Sequence, residues 1–380
     1  MRQHWNVSND SLEISEMPFY WRLSQSPRIF SDIVPRLPVK VKVNSEFDYL
    51  ELEMSRDEWC NLERAYKQNE NIGFINPESG QINTYGSSVN NFFLDSVQNS
   101  KPGNIFEIGC GAGFSIMFMR ENGWRVTGID PSEYSLKWSK ELNFELINGF
   151  FDAETLTAQA DFIFCNDVFE HIRNVPEFSK TVFKALKTGG TFCFSTTNST
   201  ESITLGDISM FEHQHVNMFT ERSIHLILKS AGFSNIHVGK GSYGNTFQVT
   251  ARKGSVSNLH IIPSASCEGY FNRAARKIEA FNKIYQNFES CMHFYVPLRC
   301  IPYLATVGDF GKHEIFDSNK NWKGKYIDGY SKAIQSKDEI FFTKESHFFV
   351  GSMTFHEEIK NTLISKGFHP SAIHGIKDLG

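Results

Sequence analysis

None of the seven cysteines (Cys60, Cys110, Cys165, Cys193, Cys267, Cys291 and Cys300) stands in a Cys-x-x-Cys pair, so a structural zinc site lacks its usual ligand spacing and no metal is expected. Three of them fall in apolar, strand-like stretches, where cysteine behaves as a small hydrophobe. A reduced, cytoplasmic protein is the expectation. Positive charge is not in excess either: 38 Lys and Arg against 43 Asp and Glu leave a net charge of -5, without the basic footprint of a nucleic-acid binder. No apolar run approaches the roughly 18 residues of a membrane span. The opening MRQHWNVSND is polar and has no apolar secretion-signal core. What is present suits a globular protein: 380 residues, enough for two or three domains, with 35 phenylalanines that predict aromatic-rich packing.

Three regions are expected. Residues 1–95 carry short, weakly periodic elements and prolines at 18, 27, 35 and 38. Within them EWCNLERAYKQ reads as a helix and NPESGQINTYGSS as a loop, with Tyr85 a candidate lid residue. Residues 96–254 alternate strands with helices. NIFEIG, RVTGID, FELINGF, ADFIFCND and TFCFSTTN read as buried strands, and SNIHVGKG and NTFQVTARK as an antiparallel pair. Between them, Ser132 and Thr220 are positioned to cap helices, Gly123 and Gly232 to end them, and Lys187–Gly190 to form a turn. Such alternation predicts a doubly wound, mainly parallel, seven-stranded Rossmann-like α/β sheet. Residues 255–380 hold a long helix through FNRAARKIEAFNKIYQNF, strands at HEIFDSN and HFFVGS, and a Thr354/Glu357 capping box, which together suggest a smaller α/β domain.

The most informative stretch is NIFEIGCGAGFS. In an open parallel sheet, ligands bind beyond the carboxyl ends of the strands, where Gly109, Gly111 and Gly113 follow the first strand. A nicotinamide fingerprint reads GxGxxG. Here the spacing is GxGxG, and Glu107 stands two residues before the first glycine. A carboxylate there is a poor neighbour for a pyrophosphate and a good one for an ammonium. S-adenosylmethionine carries an ammonium, a carboxylate and a sulfonium, and no phosphate. The glycine-turn amides are expected to take its carboxylate, with Glu107 near its amino group. Asp130, 21 residues beyond Gly109, is placed to accept the ribose hydroxyls, with Pro131 beside the adenine. Phe150 or Phe151 offers an adenine wall, Asp152 an acceptor for the adenine amino group, and Asn166 and Asp167 the end nearest the sulfonium.

IFEIGCGAG, GIDPS, NDVFEHI and ALKTGGTFCFSTTN together resemble the motifs of a class I methyltransferase, over about residues 100–252. Thr188 stands where that family commonly has proline. The resemblance implies S-adenosyl-L-methionine as methyl donor and S-adenosyl-L-homocysteine as product. HEIFDSNKNWKGKYIDG and HFFVGSMTFHEEIKNTLISKGF further resemble the C-terminal domain of nucleotide-sugar C-methyltransferases, and FEHQHVNMFT resembles their Tyr-His-Glu-His segment. In that segment His213 and His215 match the two histidines, Gln214 replaces the glutamate and Glu212 the tyrosine. The family's cysteine-rich zinc module has no counterpart here, and FYVPLRCIPYLATV has no glycine turn.

A methyl acceptor must lose one proton, and a histidine, with an ordinary pKa of about 6.5, suits that transfer. His215 is therefore expected to be the general base, His213 to orient the substrate and Glu212 to hydrogen-bond a hydroxyl, while His171 orders the loop beneath the cofactor. The expected acceptor is a small polar molecule, a sugar or nucleotide-linked sugar of a surface-glycan or secondary-metabolite pathway. Three alternatives stand beside it: O-methylation of a quinone-like or lipid-linked acceptor, an NAD-dependent oxidoreductase, and a cofactor-binding scaffold without turnover.

Overall fold

A computed structural model describes residues 4–19, 23–26, 35–68, 75–76, 81–152, 159–242, 245–254, 265–341 and 343–380. Its central sheet has seven strands: Asn104–Ile108, Arg125–Ile129, Glu145–Ile147, Ala160–Asn166, Leu186–Thr197, Ser234–Lys240 and Thr246–Arg252. Counted along the chain, their order across the sheet is 6-7-5-4-1-2-3. The first five run parallel and the last two pair antiparallel, as the sequence predicts. Strand order reverses between Asn104–Ile108 and Ala160–Asn166, and that switch point positions the site.

Apolar side chains on both faces of these strands demand cover from helices. Thr84–Val97 and Phe114–Glu121 cover one face through Val89, Phe93, Ile116 and Met119. Val175–Ala185 and Glu221–Ser230 cover the other through Phe178, Val182, Ile224 and Leu228. The phenylalanines do the filling: Phe93 stacks on Phe164 at 4.3 Å, and Phe169 and Phe192 stack on Phe194 at 4.4 and 4.6 Å. The expected caps are present, with Ser132 Oγ accepting from Ser135 N and Thr220 Oγ1 from Ser223 N. Gly232, at φ +102°, follows the last turn of its helix.

Several local expectations are corrected. NTYGSS is not a loop: Asn83 caps a helix that opens at Thr84, and the helix runs across the 95/96 boundary because its apolar face completes the central core. Residues 77–80 of that segment and 255–264 at the second boundary lie outside the described residues. Lys187–Gly190 is carried inside strand Leu186–Thr197, which absorbs the extra residues as a bulge against Ala160 and Phe162. Thr354 and Glu357 make no capping box, because helix His356–Ser365 starts later, at a Phe355 whose amide is held by Ser352 Oγ at 3.0 Å.

The first region is no free lid. Trp5–Val7, Ser11–Pro18, Arg36–Asn44 and Tyr49–Leu52 form an antiparallel sheet, closed by Asn217–Met218 from just beyond the histidine segment. Leu12, Ile14, Val39 and Val41 share one core with Phe281, Tyr303 and Leu304 of the C-terminal region. That region contains a parallel sheet of order 3-2-1-4-5, built from Met292–Tyr295, Ile315–Asp317, Ile334–Ser336, His347–Val350 and Ile373–Gly375. It turns into helix Pro297–Thr306 without glycine, by placing Val296 at φ +60°, a costly conformation for a β-branched residue.

The seam between these parts is tight. Gly206 sits at φ +71°, and a Cβ there would lie 2.6 Å from the backbone nitrogen of Ala274 in helix Tyr270–Phe288. Gly206→Ala is expected to destabilise the chain by roughly 2 kcal/mol or more. The measurement is the urea midpoint, and an unchanged midpoint would show that the helices are not in this contact.

Candidate active site

The first strand ends in a turn with Gly109, Gly111 and Gly113 at φ +71°, +50° and +76°. Side chains would not fit at two of them: a Cβ at Gly109 would lie 2.4 Å from Val168, and one at Gly113 would lie 2.3 Å from the Phe144 ring. Their amides correct one expectation. Gly109 N donates to Ile129 O at 2.7 Å, Gly111 N to Asp130 Oδ2 at 2.9 Å and Gly113 N to Cys110 O at 2.8 Å. All three donors are engaged inside the protein, so these glycines shape the turn and do not supply the amides for a ligand carboxylate.

Glu107 is buried, and its carboxyl is pushed up to about 8, first by burial and then by the charge of Asp130, with a smaller opposing influence from the nearby Ser115 hydroxyl, whose proton goes to Asn90 Oδ1 at 2.8 Å. Asp130 is also buried. Its Oδ1 accepts from Ser132 N at 2.9 Å and Ser132 Oγ at 2.6 Å, so the acid ties the glycine turn to the next helix cap. Pro131 is half-buried beside it. At the third strand's end the two rings separate: Phe151 packs edge-on against Phe178 at 5.6 Å, while Phe150 is exposed. Phe151 is thus partly committed to the core, and Phe150 is the ring turned outward. Asp152 is exposed at the edge of the described segment.

Asn166 ends the fourth strand. It is only 7% exposed, yet neither its side-chain oxygen nor its nitrogen has a hydrogen-bond partner. An unpaired buried amide is costly, and this one lies at the switch point. Asp167 follows at φ +50° and accepts a 2.7 Å hydrogen bond from the Tyr85 hydroxyl. Tyr85 therefore reaches the site from a helix and not from a loop.

The next turn, Phe169–His171, joins this half of the site to the histidine segment. His215 Nδ1 lies 2.5 Å from Glu212 Oε1, and Gln214 Nε2 donates to Glu212 Oε2 at 2.9 Å. Burial opposes charge on Glu212, but the His215 ring and the Arg299 guanidinium outweigh it and hold the carboxyl down at about 2. Burial likewise opposes charge on His215, and Glu212 outweighs it, raising the imidazole above its ordinary value. His171 Nδ1 lies 2.6 Å from Gln214 O and its ring 5.0 Å from that of His215. Burial, then His215, lower it to about 4, so its ring is neutral.

His213 does not join this group. Its ring is buried against Phe19 at 5.4 Å, with Nε2 3.3 Å from Pro38 O. Residues two apart in an extended segment share a face only when the backbone alternates regularly. Here the chain bends before strand Asn217–Met218, and His213 packs into the N-terminal sheet instead of facing a substrate. The sequence reading missed Glu170. It is fully buried, with Oε2 accepting from Thr196 Oγ1 at 2.8 Å and Oε1 unpartnered, and burial raises its pKa. Its signal was its place beside His171 in NDVFEH. A surface hollow lined by Gly103, Arg120, Trp124 and Arg125 lies at the opposite edge of the sheet and contains none of these residues.

Residues 81–238 match a family model described as a methyltransferase domain. This stretch is a methyltransferase domain. It contains the glycine turn, Glu107, Asp130, Asn166 and the Glu212–His215 pair, and the nicotinamide oxidoreductase alternative falls with the match. The domain is similar to curated relatives named ubiquinone biosynthesis O-methyltransferase. The one from Hydrogenovibrio crunogenus is 30% identical over 114 residues, covering 28% of this chain and 47% of the relative. The one from Idiomarina loihiensis is 30% identical over 137 residues, covering 33% and 56%. The chain thus spans about half the length of these relatives. Among solved structures, similarity extends to an S-adenosylmethionine-dependent methyltransferase from Clostridium acetobutylicum, with TM-score 0.37, 15% identity, and coverage of 47% of this chain and 95% of that one. It also extends to phosphoethanolamine N-methyltransferase 2 from Haemonchus contortus, solved with S-adenosyl-L-methionine, with TM-score 0.36, 16% identity, and coverage of 44% and 52%. The family model stops at residue 238, short of the C-terminal sheet, and none of these relatives is named as a sugar methyltransferase. Among the described residues no helix is long and apolar enough to cross a membrane.

Proposed function

We propose that the chain uses S-adenosyl-L-methionine to methylate a hydroxyl of a small acceptor. The observation that carries this reading is the meeting of two groups at one sheet edge. A buried acid pair with an unpaired amide (Glu107, Asp130, Asn166) stands beside an imidazole–carboxylate pair (His215, Glu212). The first group suits a zwitterionic, phosphate-free cofactor: Glu107 takes the ammonium, Asp130 a ribose hydroxyl, and Asn166 with Asp167 the end nearest the sulfonium. Phe150 or Phe151 walls the adenine, with Pro131 and Asp152 along its edge. The glycines keep side chains out of its path.

When bound, the cofactor supplies a methyl group activated by positive sulfur. The chain has to align an acceptor oxygen behind that methyl, exclude water and take one proton. His215, oriented by Glu212 through Nδ1, lies beside Glu170 and His171 and is the proton acceptor in this reading, through Nε2. His215→Ala is expected to lower turnover by about 100-fold or more while leaving S-adenosylhomocysteine affinity unchanged. Equal turnover would remove the base assignment.

The relatives' name supports oxygen as the methylated atom and a quinol-type acceptor ahead of a sugar. The sugar reading rests on the C-terminal resemblance alone. Methyl-labelled donor, offered with a catechol and separately with a nucleotide-linked keto sugar, distinguishes them. Label on the catechol oxygen supports the first reading, and label only on the sugar supports the second. S-adenosylhomocysteine binding with no labelled product from either acceptor leaves the non-catalytic scaffold.

A further inference from the structure

We propose that Glu170, His171 and His215 bind a divalent transition-metal cation. One ligand atom from each lies within 4.8 Å of the other two, although the residues come from two separate segments of the chain. Atoms bound to one zinc-sized ion at about 2.1 Å lie about 3–4 Å apart, so small side-chain rotations close the set. The surroundings are already arranged for it. His171 Nδ1 faces the carbonyl of Gln214 at 2.6 Å and His215 Nδ1 faces the carboxylate of Glu212 at 2.5 Å. Each outward nitrogen donates its proton to an acceptor, which leaves the Nε2 lone pairs free to coordinate, the usual support behind a metal-bound imidazole.

A second, independent observation points to a cation. Glu170 has no solvent exposure, and while Thr196 satisfies Oε2, Oε1 has no partner. A buried carboxylate oxygen left alone is expensive, and a cation at the cluster would complete it. Two imidazoles and one carboxylate favour zinc, manganese or iron(II) over magnesium or calcium, which prefer all-oxygen sites. Three protein ligands leave coordination positions open. The cluster adjoins Asn166 and Asp167, so those positions suit an acceptor with two neighbouring hydroxyls, whose acidity the cation would raise. With the cation bound, His215 Nε2 is a ligand and no longer the proton acceptor, so the two roles exclude each other.

This consequence for turnover rests on the methyl-transfer reading, but binding of the cation does not. The test titrates zinc or cobalt(II) into chelator-treated full-length protein, by calorimetry and by the visible absorption of cobalt. One ion per chain is expected, with affinity reduced more than about 100-fold in Glu170→Gln and His171→Asn, and about 10–100-fold in Glu212→Gln. S-adenosylhomocysteine binding in each variant checks that the domain is folded. Absence of stoichiometric binding to the wild-type chain, or unchanged affinity in a folded Glu170→Gln, overturns the proposal. Cofactor binding without cation binding sinks this inference alone, and cation binding without cofactor binding sinks the methyltransferase reading alone.

Discussion

Asp130→Ala is expected to weaken S-adenosylhomocysteine binding by about 10-fold or more. The carboxylate has two tasks in the proposed site. Within the protein it holds Gly111 N at 2.9 Å through one oxygen, and Ser132 N at 2.9 Å and Ser132 Oγ at 2.6 Å through the other. Toward the ligand Oδ2 keeps one of the carboxylate's roughly four lone-pair sites, enough for one ribose hydroxyl. A hydrogen bond to a charged group contributes about 1.5–3 kcal/mol, so losing one costs about 10- to 100-fold in affinity. The orphaned Gly111 and Ser132 amides loosen the turn and add to the loss. The substitution also removes the charge that helps raise Glu107, so Glu107 should ionise at lower pH in the variant. Calorimetry on protein shown to be folded reads the affinity. A change below about five-fold would mean that the ribose is held elsewhere.

The second expectation concerns Glu107 and is a matter of protons. Its carboxyl titrates at about 8 in the ligand-free protein, because burial and Asp130 both disfavour the charge. At pH 7 it is therefore mostly neutral. Binding an ammonium favours the ionised form, so the site must release close to one proton as the ligand enters. Affinity should rise with pH by up to about ten-fold per unit below pH 8. It should then level above about pH 8, and fall only once the ligand's own α-amino group loses its charge. Glu107→Gln should remove the rise and the proton release together. Calorimetry at pH 7 in buffers of different ionisation enthalpy measures the released proton directly, and buffer-independent heats would remove Glu107 from the ammonium's surroundings. The same shift predicts a stability trend. The unfolded chain releases this proton near the ordinary 4.5 and the folded chain near 8. Between those values the folded state binds more protons, so the ligand-free protein loses stability as pH rises across that window. Melting temperatures from pH 5 to 8 should fall in the wild type and fall less in Glu107→Gln.

Where the sequence reading went astray, the cause is the same each time. NTYGSS has the composition of a loop, but Asn83 can cap and the residues beyond it present Val89, Phe93 and Val97 to one core. Packing overrode local preference, as it regularly does. The Thr354/Glu357 pair has the spacing of a capping box, yet Ser352 supplies the bond to Phe355 and the helix begins later. The glycine amides looked available because nothing in the local sequence reveals that Asp130, 19 positions on, occupies Gly111 N–H.

What the sequence determined by itself is the strand-edge turn that is proposed to hold the cofactor. The turn after Ile108, the acid at Asp130 and the cap at Ser132 depend on residues close along the chain or one strand away, and on backbone angles that only glycine adopts easily. The tertiary structure decided the half proposed to meet the acceptor. His213 and His215 are nearly adjacent in sequence, but one faces Pro38 inside the N-terminal sheet and the other meets Glu212 beside Glu170 and His171. His171 reaches Gln214 across 43 positions. Whether an imidazole or a carboxylate is held, charged or left unpaired depends on how completely other segments exclude water around it, and that enclosure exists only once the chain has folded.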